Sequence, residues 1–112
     1  MSVFIEPPFE RLREAKPKKV TIPANDVKRV VEKNPYRHLL VLWNISSVDL
    51  SYGDSESNTI IPFPSGSVHR WESHIFITRD GKLLQHADWE EEMYVRNSST
   101  TVNADIIVYE VF

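Results

Sequence analysis

The chain has 112 residues, of which 41% are hydrophobic and 26% are charged, a composition typical of one globular domain. The formal net charge of −3 argues against nucleic-acid binding, because phosphate recognition usually requires a basic surface. The chain has no cysteine, which excludes disulfides, thiolate metal sites and cysteine nucleophiles. Small secreted domains usually depend on disulfides, so we expect an intracellular origin.

Residues 1–17 differ from the rest of the chain and predict an extended N-terminal arm. Pro7 and Pro8 prevent regular structure, and Pro17 ends the short helical segment that residues 9–15 would otherwise support. Apolar side chains left in water on a tail favour aggregation, so we expect the arm to dock on a neighbouring subunit. Its expected anchors are Phe4, Ile5, Phe9 and Leu12. The alternative is that the arm folds back onto its own sheet as an additional strand.

The segment after the arm predicts two strands. Residues 18–22 alternate polar and apolar side chains, as a half-buried strand does. Residues 27–33 are ambiguous, because their three valines also fit helical spacing. Valine is β-branched and favours strand, so we interpret this segment as a second strand that closes at the Asn34-Pro35 turn.

The densest apolar run of the chain lies within residues 36–53. Residues 39–43 are continuously apolar, residues 44–47 interrupt the run, and residues 48–52 alternate apolar and polar side chains. This pattern predicts a buried strand joined by a hairpin to a half-buried strand. The apolar run is too short to span a membrane, which requires about 20 apolar residues.

The second half of the chain predicts further short strands separated by turns. Residues 60–64 contain two prolines and predict an edge strand, while residues 102–112 are apolar on both faces and predict a central strand. Asp80-Gly81 predicts a hairpin turn. The other expected strands are residues 67–77, 83–87 and 93–97.

Together these segments predict an all-β fold over residues 18–112, a β-sandwich or jelly roll of about eight short antiparallel strands. We expect Trp43 in the core, because it lies within the apolar run. The other side chains expected to be largely buried are Leu40, Leu42, Val48, Leu50, Ile106 and Val108.

Three side chains in one segment resemble the beginnings of a metal site: His69, Glu72 and His74. Jelly-roll enzymes of the cupin type bind metal with histidines and a glutamate from neighbouring strands. On a strand, however, residues 69 and 72 point to opposite faces, and the paired His-x-His of the cupin pattern is missing. We therefore expect no catalysis, no cofactor and no tightly bound transition metal, and keep a small cupin-like metal enzyme as a minor alternative.

Two further groups of residues suggest ligand binding. Trp71 and Trp89 are possible ligand-facing aromatics, so a carbohydrate-binding module is the main alternative function. Residues 88–92 carry four carboxylates that have the chemistry of a calcium site, although such a charge run is more often a solvated loop.

The turns and strands of the chain follow one another in a distinctive order. The Asn34-Pro35-Tyr36-Arg37 turn leads into the buried strand of residues 39–43, which runs into Asn44-Ile45-Ser46, and a short strand that ends at Gly53 comes next. The Pro64-Ser65-Gly66 turn and the strand around Tyr94 complete the order, which resembles that of small virion proteins of tailed bacteriophages. The resemblance covers residues 18–112 and departs from the pattern in residues 72–92, which are unusually polar and aromatic.

This resemblance implies a non-catalytic structural protein of the virion, assembled in the host cytoplasm. The expected role is that of a capsid decoration protein, with a head-fibre base or neck protein as related possibilities. The expected partners are a major capsid or neck protein and other copies of the chain in the assembly, with no nucleic acid and no membrane. Binding would use the surface of the sandwich and the arm.

Overall fold

The computed structural model describes residues 16–112, and the regular structure in that range is entirely β-strand. The protein is an all-β sandwich of two antiparallel sheets, which confirms the predicted fold class. The ambiguous second segment is a strand, as interpreted. The strands are β1 (Lys18–Ile22), β2 (Asp26–Val31), β3 (Leu39–Asn44), β4 (Leu50–Gly53), β5 (Ile61–Phe63), β6 (Val68–Ile77), β7 (Leu83–Ala87), β8 (Met93–Asn97) and β9 (Ala104–Val111).

One sheet has five strands in the order β1-β9-β3-β6-β7, and the other has four in the order β2-β8-β4-β5. The last strand, β9, lies between β1 and β3, which confirms that a strand apolar on both faces is central. The proline-containing β5 is an edge strand, also as predicted.

The predicted hairpin between β3 and β4 is wrong. β3 pairs with β6 and β9, whereas β4 pairs with β5 and β8 in the opposite sheet. The chain therefore crosses the core between residues 44 and 50 instead of turning back within one sheet. The alternation of side chains identifies both strands, but it does not say which sheet each strand joins.

A buried asparagine fixes this crossing. Asn44 ends β3, and its side-chain amide donates hydrogen bonds to the carbonyl oxygens of Val48 and Phe63, both at 2.9 Å. Its Oδ1 accepts a hydrogen bond from the backbone N–H of Ser46 at 3.0 Å. Phe63 belongs to the four-stranded sheet, so this single side chain ties the two sheets together at the turn.

A second asparagine has the same role where the chain crosses from β8 to β9. Asn97 ends β8, and its buried amide donates to the carbonyl oxygens of Ile22 at 3.1 Å and Val102 at 2.8 Å. Its Oδ1 accepts a hydrogen bond from the N–H of Ser99. Asn44-Ile45-Ser46 and Asn97-Ser98-Ser99 therefore form structural turns. In each, the side-chain amide nitrogen of the asparagine donates hydrogen bonds to backbone oxygens.

The core lies between the sheets and confirms five of the six predicted core residues, while Val48 is half-buried. Trp43 contradicts the prediction, because 47% of its surface is exposed. β3 alternates strictly, so Leu40, Leu42 and Asn44 point inward and Trp43 points to solvent. The apolar run is continuous in sequence but is divided between two faces.

A buried arginine anchors the end of the sandwich where the Asn-Pro-Tyr-Arg turn enters β3. Arg37 is only 2% exposed, and its Nε donates to Glu110 Oε2 at 2.9 Å. Its two other nitrogens donate to the backbone oxygens of Trp89 and Glu32. One guanidinium thus joins the end of β2, the loop after β7 and the end of β9, with every nitrogen used.

Candidate functional site

Five aromatic rings form one cluster at the open side of the core, where β4, β5 and β6 meet the loop after β7. Tyr52 is its centre and contacts the rings of Phe63, His69, Trp71 and Trp89, with ring centroids 5.3–6.0 Å apart. All four contacts are edge-to-face, the arrangement that aromatic quadrupoles favour. The cluster joins the two sheets and extends the core toward the base of the β6–β7 hairpin.

The cluster brings the two predicted ligand-facing tryptophans together. The rings of Trp71 and Trp89 lie 5.6 Å apart and are tilted by 58°. Both are half-buried and pack against the core, so each exposes only part of its ring. Tyr52 donates or accepts a hydrogen bond with His69 Nδ1 at 3.0 Å, and burial raises the pKa of its hydroxyl. The ring contacts and this hydrogen bond form a packed rim of the core.

The three candidate metal ligands are not brought together. His69 faces the core, whereas Glu72 faces solvent and pairs with Arg70 at 3.3 Å. His74 lies further along β6 and pairs with Asp88 at 3.0 Å. Among the residues that the structure describes, no group of histidine, aspartate and glutamate side chains is arranged to hold a metal ion. Alternation on β6 explains why His69 lies on the face opposite Glu72 and His74, and these two side chains pair separately with Arg70 and Asp88.

The acidic loop of residues 88–92 is likewise divided among cations. Glu92 pairs with Arg29 at 3.2 Å, and Glu91 pairs with Lys33 at 3.8 Å. These partners belong to β2 and the turn that follows it, so the carboxylates point along the surface toward the other sheet. They do not converge on a common point as calcium ligands would.

Five of the exposed large apolar side chains of the described chain lie together on the β6–β7 hairpin. β3 pairs with β6 only as far as Glu72, and beyond that residue β6 continues with β7 alone as a two-stranded ribbon. Its apolar side chains are between 44% and 70% exposed: Ile75, Phe76, Ile77, Leu83 and Leu84. An isolated ribbon of this kind is stable only marginally without a covering surface.

The ribbon is apolar on both faces. Ile75, Ile77 and Leu83 continue the face that points to the core in the body of β6, but the four-stranded sheet does not extend over them. Phe76 and Leu84 are cross-strand partners on the opposite face. A strand with one face in solvent usually alternates apolar and polar residues along its length, and residues 75–77 do not.

The hairpin ends in a well-formed turn, which confirms the prediction from Asp80-Gly81. The N–H of Thr78 donates to the carbonyl oxygen of Lys82 at 2.9 Å, and Gly81 has φ = +85°, where glycine is favoured. Thr78 Oγ1 also donates to Asp80. A closed turn fixes the register of the two strands, so the exposed side chains are presented in a defined order.

The predicted anchors of the arm, Phe4, Ile5, Phe9 and Leu12, lie outside the described residues. A groove of about 270 Å³ lies beside the beginning of β1. It is bounded by the ends of β2 and β9, and its lining carries both signs of charge. Its lining residues are Lys18, Arg29, Val30, Val31, Glu32, Lys33, Asn34, Glu110 and Phe112.

Comparison with protein families, with curated proteins and with solved structures returned no match to this chain. In residues 16–112 no helix has the length and apolar character needed to cross a membrane. The fold and the site therefore define a class only: a two-sheet β-sandwich with a packed aromatic rim and a projecting apolar hairpin.

Sequence reasoning did not single out the hairpin as a site. The signal was present, because apolar residues occupy successive positions on both sides of the Asp80-Gly81 turn instead of alternating with polar ones. The same segment, residues 72–92, is where the resemblance to virion proteins departs from the pattern.

Proposed function

We propose that the protein is a non-catalytic structural protein that binds neighbouring subunits, specifically a capsid decoration protein of a tailed bacteriophage. The observation that carries the proposal is the projecting β6–β7 hairpin, whose apolar side chains are exposed on both faces. Apolar surface of this kind on a soluble protein marks an interaction site. The proposed partners are a major capsid or neck protein and further copies of the chain in the virion.

The energetics of the hairpin suit a contact that is repeated many times. Covering one of its aliphatic side chains contributes about 1–2 kcal/mol, since each is already partly buried in the ribbon. Losing translational and rotational freedom on association offsets much of the total. A single contact is therefore modest, whereas a shell that repeats it gains from multivalency.

The arm supplies the second proposed contact. Phe4, Ile5, Phe9 and Leu12 would be buried on a neighbouring subunit, and the exposed Lys16, Lys18 and Lys19 at the root of the arm would meet an acidic surface. Deleting residues 2–15 tests this assignment: binding to the particle should be lost while the unfolding transition of the isolated domain is unchanged. Retained binding together with a destabilised domain would show that the arm is internal.

The central test of the hairpin measures binding of the purified protein to phage shells that lack it. The double variant Ile75→Thr/Ile77→Thr keeps two β-branched residues but removes apolar surface, so the hairpin should still form while affinity for the shell falls by about tenfold or more. Val68→Thr is the matched control, because Val68 is an exposed β-branched residue of the same strand within the sandwich body. Equal binding of the two variants would contradict the proposal.

A carbohydrate-binding module is the second candidate, favoured by the adjacency of Trp71 and Trp89. Sugar stacking requires an open ring face, and these rings are half-buried. A glycan array with the unchanged protein tests this candidate directly. A hit that is lost in Trp89→Ala but kept in Trp43→Ala, an exposed tryptophan outside the aromatic cluster, would establish it; the absence of any hit would remove it.

A further inference from the structure

Within residues 16–112 the sandwich has four edge strands, and of these β7 alone lacks the features that normally prevent edges from pairing. β1 begins with Lys18 and Lys19, β5 is three residues long and contains Pro62, and β2 is interrupted by a register shift between Arg29 and Val31. Lysines, prolines, short length and bulges are the usual protections of an edge. β7, with the sequence LLQHA, has no lysine, proline or irregularity.

The backbone of β7 presents a regular set of donors and acceptors on its outer side. The N–H of Asp88 donates to the carbonyl oxygen of Glu72, and the N–H of Thr78 donates to that of Lys82. In an antiparallel ladder these bonds alternate along the strand, so the even-numbered residues of this segment bond to β6. The residues whose N–H and C=O groups point outward are Leu83, Gln85 and Ala87.

We propose that β7 pairs with β7 of a second copy of the chain, antiparallel and about a twofold axis at Gln85. An antiparallel twofold can pass through a pair of identical residues that exchange both backbone hydrogen bonds, and Gln85 has the outward groups that this requires. Leu83 of each copy then lies opposite Ala87 of the other. The pairing forms about six backbone hydrogen bonds and joins two five-stranded sheets into one.

The charges at the two ends of β7 are complementary in this register. Lys82, before the strand, falls opposite Asp88 of the second copy, and the twofold axis repeats the contact. Lys82 is 76% exposed and lies 4.0 Å from Asp80, and Asp88 is 42% exposed and pairs with His74 at 3.0 Å, so each side chain would exchange or share its present surface partner for the contact across the axis. A shift of the register by two residues places Lys82 opposite either His86 or Glu90 instead of Asp88, so exchanging the charges of Lys82 and Asp88 tests the proposed alignment directly.

The apolar residues are complementary as well. The tip of each hairpin is brought beside the base of the other, where the buried Ala87 and the half-buried Trp89 close the core. The exposed Leu83 therefore gains an apolar neighbour that its own four-stranded sheet does not supply. The inference rests on the proposed binding function, which it deepens by naming a second copy as the neighbour of the hairpin.

The experiment is sedimentation velocity of the full chain over a wide range of concentrations. The unchanged protein should form a dimer. Lys82→Glu places a carboxylate opposite Asp88 twice per dimer and should raise the dimer dissociation constant by about tenfold. Asp88→Lys should have a similar effect, whereas Lys82→Glu/Asp88→Lys restores opposite charges and should recover the dimer. Lys28→Glu, an exposed lysine on the other sheet, is the matched control and should leave association unchanged.

Gln85→Pro is an independent variant. Proline removes only an outward N–H, so the β6–β7 ladder keeps its bonds, and the variant should be a folded monomer by circular dichroism and sedimentation.

A dimer that survives this change, or a charge exchange that fails to restore the dimer, would overturn the proposal. An unchanged protein that stays monomeric would overturn it too, as would a dimer that appears only after residues 2–15 are deleted, which would assign the edge to the arm. Shell binding by a monomeric Gln85→Pro protein would leave the proposed function standing while removing the twofold pairing.

Discussion

Replacing the buried Arg37 with alanine should be one of the most destabilising single changes in the described chain. The side chain is 2% exposed, and its loss leaves the Glu110 carboxylate without its partner at 2.9 Å. It also leaves the carbonyl oxygens of Trp89 and Glu32 without a donor. The three elements that the guanidinium joins would no longer be held together.

The magnitude follows from how buried the pair is. Removing one member of a buried ion pair costs about 3–5 kcal/mol, mainly because the other charge is left unpaired. Glu110 is 18% exposed, so water can reach it in part, and we expect a loss near the lower end, about 3 kcal/mol. Such a loss is a large fraction of the total stability of a small domain.

The assay is equilibrium unfolding in guanidinium chloride, followed by the fluorescence of the three tryptophans and by circular dichroism of the sheets. Arg70→Ala is the matched control, because Arg70 also pairs with a glutamate through Nε, at 3.3 Å, but is 59% exposed. The control should change the free energy of unfolding by less than about 0.5 kcal/mol. Similar losses in the two variants would refute the reasoning that burial makes the Arg37 pair important.

Three further changes have defined outcomes. Asn44→Ala should lower the free energy of unfolding by about 2–3 kcal/mol in the same assay, because the buried carbonyl oxygen of Phe63 and the partly buried one of Val48 lose their donor. A neutral result would show that water replaces the amide. Gly53→Ala should cost at least about 2 kcal/mol, since the new Cβ would lie 1.5 Å from the backbone oxygen of Asn58; an unchanged midpoint would mean that the loop moves freely. Thr21→Val should raise the carboxyl pKa of Asp105 in an NMR titration, because the hydrogen bond from Thr21 is the main cause that lowers it. The stability that the lowered pKa of Asp105 contributes is present above the ordinary aspartate pKa and is lost as the pH falls through the lowered value. An Asp105 pKa that does not move in Thr21→Val would contradict the assignment of the hydrogen bond as its main cause.

Local patterns predicted the positions of the strands well, since the alternation and branching of side chains are visible in each segment by itself. The valine-rich second segment is β2, the apolar C-terminal segment is the central β9, and the Asp80-Gly81 turn joins β6 to β7. Each of these follows from side-chain branching, from burial on two faces or from glycine at positive φ.

Pairing between strands was less predictable, because it depends on contacts that are distant in sequence. The turn after β3 was interpreted as a hairpin, although Asn44 donates across the core to Phe63 and directs the chain into the opposite sheet. Trp43 was placed in the core by its neighbours in sequence, although strict alternation turns it outward. The hydrophobicity of a residue alone does not distinguish a buried position from an exposed one such as that of Trp43.

The candidate site also depends on contacts between residues that are distant in sequence. Trp71 and Trp89 were identified from residue type, and their adjacency depends on how the loop after β7 folds against β6. The exposed hairpin could be recognised only once β3 was seen to end at its pairing with Glu72, which leaves residues 73–77 beyond the sheet. The length of a neighbouring strand is not encoded in the hairpin itself.

The central claim is that this sandwich works by binding its neighbours in a repeated assembly, and electron cryomicroscopy of virions that carry the protein tests it most directly. We predict copies of the sandwich at regular positions on the particle, with Ile75, Ile77 and Leu83 of the hairpin covered by an adjacent subunit. Particles without ordered copies, or copies whose hairpin points into solvent without a contact, would contradict the account.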